Sequence, residues 1–233
     1  MYIYIKKMYA IKFTESNADK QPVTLDFNTK EGFFDYVKNK RFRAVIDYHR
    51  TITCFGKTEK EQISALKKIV SYGINICICS YSTKDEYVSN VTNFISNICN
   101  KNISGVVYQV KDTTICFNKF KFELVRLINA KYFIDDDVYN LELDNNVISI
   151  LFNSKYFPIT FSDEIYEKYC KNKDVNYVCH LNFLRAHYIK IKKNVKLIRN
   201  IDILLKFLNK QENNRCFIRD TKRYIYNSTR ISL

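Results

Sequence analysis

The stretch Ala44-Val45-Ile46-Asp47-Tyr48-His49-Arg50-Thr51-Ile52-Thr53 decides how the chain is read. Three apolar residues, Ala44 to Ile46, run into an aspartate, and a hydroxyl residue, Thr51, follows four positions later. An apolar run this short has the length of a fully buried strand. A carboxylate closing such a strand in a parallel α/β sheet stands in the crevice where ligands bind. An aspartate opening an ordinary loop would look the same locally, so the rest of the chain must decide.

Working outward, residues 2–13 and 23–27 alternate enough to be strands, and Lys30 to Asn39 reads as a short helix with Phe33, Phe34 and Val37 inward. The decisive strand is Arg43 to Asp47. Thr58 then has the chemistry of an N-cap, with Glu59 and Glu61 in the first turn. Ile63, Leu66, Ile69 and Val70 share one helical face, and Gly73 ends that helix. Ile74 to Cys79 is a second apolar strand, closed by Ser80. A helix over Lys84–Asn100, a strand over Gly105–Val110 and a helix over Lys119–Asn129 follow. Tyr132 to Ile134 is a fourth strand ending in Asp135-Asp136-Asp137, and Val147 to Phe152 is a fifth. Strands and helices alternating with short joints predict right-handed βαβ units. The expected fold is therefore α/β: a Rossmann-like, doubly wound parallel sheet with extra N-terminal strands. In such a sheet Asp47, Ser80 and Asp135 converge on one edge, because each closes a separate apolar strand.

These residues, in this order, resemble the motifs of the haloacid dehalogenase (HAD) superfamily of phosphohydrolases over roughly Arg43 to Phe152. The resemblance implies that Asp47 is a nucleophile that becomes an aspartyl-phosphate. It implies phosphate-binding roles for Thr51, for Ser80 and for a lysine opening the helix before the fourth strand, where Lys119 and Lys121 both fit and Lys121 has the better spacing. It further implies a Mg²⁺ site on Asp47, Asp135 and Asp136. The family's usual second aspartate, its general acid/base, is replaced here by His49. An imidazole can take that role, and the same change is equally the mark of a decayed or repurposed site. The 33 residues from Asp47 to Ser80 and the 41 from Ser80 to Lys121 are filled by core elements, which leaves no room for the cap domain of larger relatives. An open site of that kind suits a macromolecular phosphomonoester.

The 233 residues carry a net charge of +14, which favours polyanionic partners and says nothing about fold. Residues 160–233 hold 16 Lys and Arg against 7 Asp and Glu, so a division into a core over 1–160 and a basic helical C-terminal region over 161–233 is expected. In that region Ser162-Asp163-Glu164 could cap a helix, Tyr177 to Ile191 show a helical face, and Ile201–Leu208 reads as another helix. The partner expected there is a phosphoprotein, a nucleic acid or a protein assembly. Lys6 and Lys7 interrupt the first apolar run, and no stretch of about 18 apolar residues exists, so neither a secretory signal nor a membrane span is expected. The eight cysteines then read as reduced intracellular thiols. Cys77 and Cys79 point to one face of a strand, where packing is the natural role, and packing is also expected for Cys170, Cys179, His180 and His187. Two function classes follow: a Mg²⁺-dependent phosphomonoesterase, or a HAD-fold binding or scaffold subunit without turnover.

Overall fold

Alternation of apolar side chains and helix caps shapes a computed structural model of the chain, which describes residues 9–110, 118–137, 140–141, 146–153 and 195–228, without the side chains of 118, 119 and 215–228. The N-terminal strands form a hairpin, β1 (Tyr9–Ser16) and β2 (Pro22–Phe27). Thr29 caps α1 (Lys30–Val37) by accepting the Gly32 N–H on its hydroxyl. The strand β3 (Ala44–Asp47) is buried along its whole length. A single 3-10 turn (Ile52–Cys54) leads to α2 (Glu59–Ser71). Thr58 and Glu61 make a reciprocal capping box at the start of α2, worth about 1 kcal/mol. Gly73, at φ +79°, takes the left-handed conformation that ends this helix.

The strand β4 (Ile76–Ser82) is followed by α3 (Asp85–Ile98), β5 (Ile103–Val110), α4 (Asn118–Leu127), β6 (Tyr132–Asp135) and β7 (Ile148–Phe152). Two findings depart from the sequence reading. Ser80 does not close β4: Ser80, Tyr81 and Ser82 stay in register with Val107, Tyr108 and Gln109, because β5 extends alongside and offers them ladder partners. Within the basic C-terminal run, Val195–Ile198 is a strand, β8, parallel to β7, and the helix beginning at Ile201 continues to Ser228 as α5. The expected boundary at 160, the helices before residue 195 and the Cys170–His187 cluster lie outside the described residues.

The eight strands make one mostly parallel sheet in the order β2-β1-β5-β4-β3-β6-β7-β8, with β1 antiparallel to both β2 and β5. Both faces are covered. Ile46, Ile78, Ile134 and Ile150 point to the side of α2, α3 and α5. Val45, Cys77, Phe133 and Leu151 point to the side of α1 and α4. Cys77 and Cys79 thus pack in the core, as their spacing predicts. Leu204 and Leu208 of α5 are fully buried, so the start of this helix belongs to the core. No helix among the described residues is long and apolar enough to cross a membrane.

From β3 the chain winds through β4 to β5 on one side and then returns to β6 on the other. The winding direction therefore reverses between β3 and β6, and their C-terminal ends flank the crevice where such sheets bind ligands.

Candidate active site

The two residues that end β3 and β6 are Asp47 and Asp135. Period-two alternation places both on the side of the sheet covered by α4, since Val45 and Phe133, two positions earlier, lie in that core. The helix supplies their partner. Lys121 has Leu124, Val125 and Ile128 at the i+3, i+4 and i+7 positions, all buried, so it occupies the centre of the stripe that faces the sheet. Its neighbours fix the helix rotation. Phe120 stacks on Tyr108 with ring centroids 4.3 Å apart, and Phe122 packs on Phe133. Lys121 is only 2 % exposed.

From this position the Lys121 ammonium donates to Asp47 Oδ1 at 2.5 Å and to Asp135 Oδ2 at 2.8 Å. Its Nζ also lies 5.1 Å from the centre of the Tyr81 ring. Asp135 is held further by the Asp137 N–H, which donates to Oδ1 at 2.9 Å, and by the Asn140 amide, which donates to both oxygens at 3.0 Å. Asp135 is thus fully enclosed. Asp47 is not: its Oδ2 is buried and finds no partner among the described residues. The hydroxyls of Thr51 and Ser80 and Asn140 Oδ1 are likewise buried without a partner. Buried polar atoms left unpaired cost about 1–3 kcal/mol each, so stability alone does not account for these four.

The charges are also unequal. Asp47, Asp135 and Asp136 bring ligand oxygens within 4.8 Å of one another, and the ammonium bonded within the group is that of Lys121. Burial is the main force on Asp47 and pushes its pKa up to about 8; Lys121 opposes the shift and the Asp135 charge adds to it. Burial, with the neighbouring Asp135, takes Asp136 up to about 6. Burial alone would lower the pKa of Lys121, but Asp135 and Asp47 outweigh it and hold the ammonium charged. Three carboxylates against one ammonium, with one carboxylate oxygen unpaired, are oxygen donors that could hold a metal cation.

His49 lies two residues past Asp47, half-buried, in T-shaped pairs with the rings of Tyr48 and Tyr87 at 5.2 and 5.3 Å. Burial, then the charges of Lys121 and Arg50, hold its pKa below the ordinary imidazole value. Arg50 takes a left-handed φ of +58°, and its N–H donates to the Thr53 hydroxyl at 2.8 Å. Side chains other than glycine, asparagine and aspartate seldom adopt this backbone conformation, and such strain gathers at functional loops.

Asp47, Lys121, Asp135 and Asp136 are therefore brought together. Thr51 begins the 3-10 turn that follows β3. Ser80 sits one position beyond Cys79, the register partner of Asp47, and by alternation leaves the sheet toward the α2 and α3 side. The Lys119 backbone is in α4, but its side chain is outside the described residues. Sequence reasoning missed Asn140, Tyr81 and Arg50; Asn140 had no signal beyond its polarity, and no spacing rule leads from Asp135 to it. Between Asp47 and α4 no inserted cap appears among the described residues. Compared with protein-family models, curated proteins and solved structures, the chain matches none, so the chemistry of the site must be argued from its own residues.

Proposed function

We propose that the protein is a Mg²⁺-dependent phosphomonoesterase of the HAD type that acts on a macromolecular substrate through an aspartyl-phosphate. The observation that carries this reading is the unpaired Asp47 Oδ2 at the β3–β6 crevice, beside Asp135 and a buried Lys121. Asp47 would attack phosphorus as the bond from phosphorus to the leaving oxygen breaks. The Lys121 ammonium and the Thr51 and Ser80 hydroxyls would hold the phosphoryl oxygens. Asp47, Asp135 and Asp136 would hold Mg²⁺, which when bound screens the negative charge of the nucleophile and of the phosphoryl group. His49 would then take a proton from the water that cleaves the aspartyl-phosphate, releasing phosphate and restoring Asp47. A lowered pKa leaves His49 neutral at pH 7, the form this step needs. In the first step an alkoxide leaving oxygen would take its proton from solvent water at the crevice, whereas a phenolate departs as a stable anion. The test is therefore hydrolysis of an aryl phosphate, whose phenolate departs readily, with and without Mg²⁺ and with Asp47→Asn as control. Equal release from wild type and Asp47→Asn would sink the reading.

One observation favours the second function class. The His49 ring is packed between two tyrosines, which packing alone would explain. The fold would then serve as a binding or scaffold subunit in which Lys121 ties Asp47 to Asp135. Absence of both turnover and Mg²⁺ binding in wild type and in His49→Asp would establish that class.

A further inference from the structure

Three large hydrophobic side chains are exposed among the described residues: Tyr87, Leu197 and Ile203. Leu197 and Ile203 lie on β8 and at the start of α5. Tyr87 is different. It lies in the first turn of α3, directly after β4, at the same sheet edge as Asp47. It is 45 % exposed, yet it is not loose. Its ring is T-shaped to that of His49 at 5.3 Å, His49 meets Tyr48 at 5.2 Å, and Tyr48 meets the buried Phe94 at 5.0 Å. A row of rings thus runs from the core to the surface and ends in the half-exposed ring of Tyr87, which leans on the loop that follows Asp47. The Lys84 ammonium lies 5.9 Å from the centre of that ring, and Arg50 follows His49 on the exposed side of the loop.

An anchored aromatic face beside cations is the recognition element of single-stranded nucleic acid. Bases stack on the ring, and the cations follow the backbone. The net charge of +14 supplies the long-range attraction such a ligand needs. We infer that Tyr87 is a stacking platform for the terminal base of a single-stranded nucleic acid whose end phosphate enters the Asp47 crevice. Lys84 and Arg50 then face the next phosphates of the strand. The inference rests on the phosphatase reading for the direction of the strand, and on Tyr87 alone for the binding.

The chain contains no tryptophan, so Tyr87→Trp keeps a stacking ring and adds a single indole reporter. A short single-stranded oligonucleotide with a terminal phosphate should quench that emission saturably. In fluorescence anisotropy, Tyr87→Ala should weaken the same oligonucleotide by roughly 5- to 100-fold, the worth of one stacked base, while Tyr87→Phe retains affinity. Both measurements read binding and need no turnover. Should aryl phosphate be hydrolysed while Tyr87→Ala binds the oligonucleotide as wild type does, the inference falls and the phosphatase stands. Should turnover be absent but the loss of affinity be seen, the platform stands and the phosphatase falls. Quenching by a phosphotyrosine peptide of equal charge, with none by the oligonucleotide, would overturn the inference in favour of a phosphoprotein.

Discussion

The two ends of the β3–β6 pair carry opposite kinds of polar cluster. At the N-terminal end, Glu212 of α5 accepts from Arg43 at 2.9 Å, from Lys131 at 3.2 Å and from the Tyr132 hydroxyl at 2.6 Å. Donors outnumber the carboxylate. Burial would raise the pKa of Glu212, but Tyr132, Arg43 and Lys131 outweigh it and hold it below the usual glutamate value. At the C-terminal end, carboxylates outnumber Lys121, and Asp47 is driven up to about 8. One cluster ties a helix to the sheet and improves with ionisation. The other resists the ionised state it would need for chemistry. Opposite signs of pKa shift on two carboxyl groups at the two ends of one strand pair distinguish a satisfied clamp from a candidate site.

The largest way to test that contrast is Asp47→Asn. It should lower phosphate release by roughly 10⁴- to 10⁶-fold, the scale of losing a nucleophile. It should also keep or raise the thermal midpoint at pH 8 without metal, since it removes a buried charge from an overcharged group. A midpoint well below wild type would mean that Asp47 is structural. Next, His49→Ala should reduce turnover by about 10²- to 10⁴-fold. With Mg²⁺ saturating, so that Asp47 is held ionised, the part of the acid limb due to His49 should lie below the ordinary imidazole value, as its lowered pKa requires. An acid limb unchanged in His49→Ala would assign the proton transfer elsewhere.

The clamp should behave the other way round. Glu212→Gln leaves Arg43 and Lys131 without their charge partner and should cost about 2–3 kcal/mol in denaturant unfolding. Aryl phosphate turnover should hold at temperatures where the variant is folded. The sign with pH follows from the lowered pKa. The contribution of Glu212 is full above the unfolded glutamate value and is lost as pH falls through the lower folded one. A Glu212→Gln variant as stable as wild type at pH 7 would show that α5 is held by its apolar contacts, Leu204 and Leu208 foremost, and not by the clamp.

The fold was legible because its signals are local. The apolar runs of β3, β4 and β6, the Thr58 cap and Gly73 each declare an element within a few residues. The meeting of Asp47 and Asp135 at one sheet edge was legible because both are polar ends of apolar strands. Lys121 could have been separated from Lys119 by period, since Leu124, Val125 and Ile128 make it the centre of a buried stripe. The strand β8 was hidden because Val195-Lys196-Leu197-Ile198 sits in a lysine-rich run; pairing with β7, which no local pattern encodes, makes it a strand. The Glu212 clamp was hidden for the same reason: its partners lie 80 to 169 residues away in sequence. Ser80 was misplaced by taking polarity for a strand end, where the neighbouring β5 decides.

The smallest effect discriminates most finely between the two ends. Asp47 and Asp136 take up protons in the folded state up to about pH 8 and 6, whereas unfolded aspartates release theirs near 4. Between these limits the folded chain binds more protons than the unfolded one, so without metal these two groups make stability fall as pH rises. The cost is absent below about pH 4 and complete above about pH 8. Mg²⁺ binds the carboxylate form, so at pH 5 it must displace protons that at pH 8 are already gone. The gain in thermal midpoint on adding Mg²⁺ should therefore be larger at pH 8 than at pH 5. At tenfold its dissociation constant, the gain is about 1.4 kcal/mol, or roughly 3–6 °C for a chain of this length. Glu212→Gln should retain this pH-dependent gain, and Asp135→Asn should lose it. An equal gain at both pH values, or one that survives Asp135→Asn, would place the cation away from the β3–β6 crevice and remove the distinction between the two ends of the sheet.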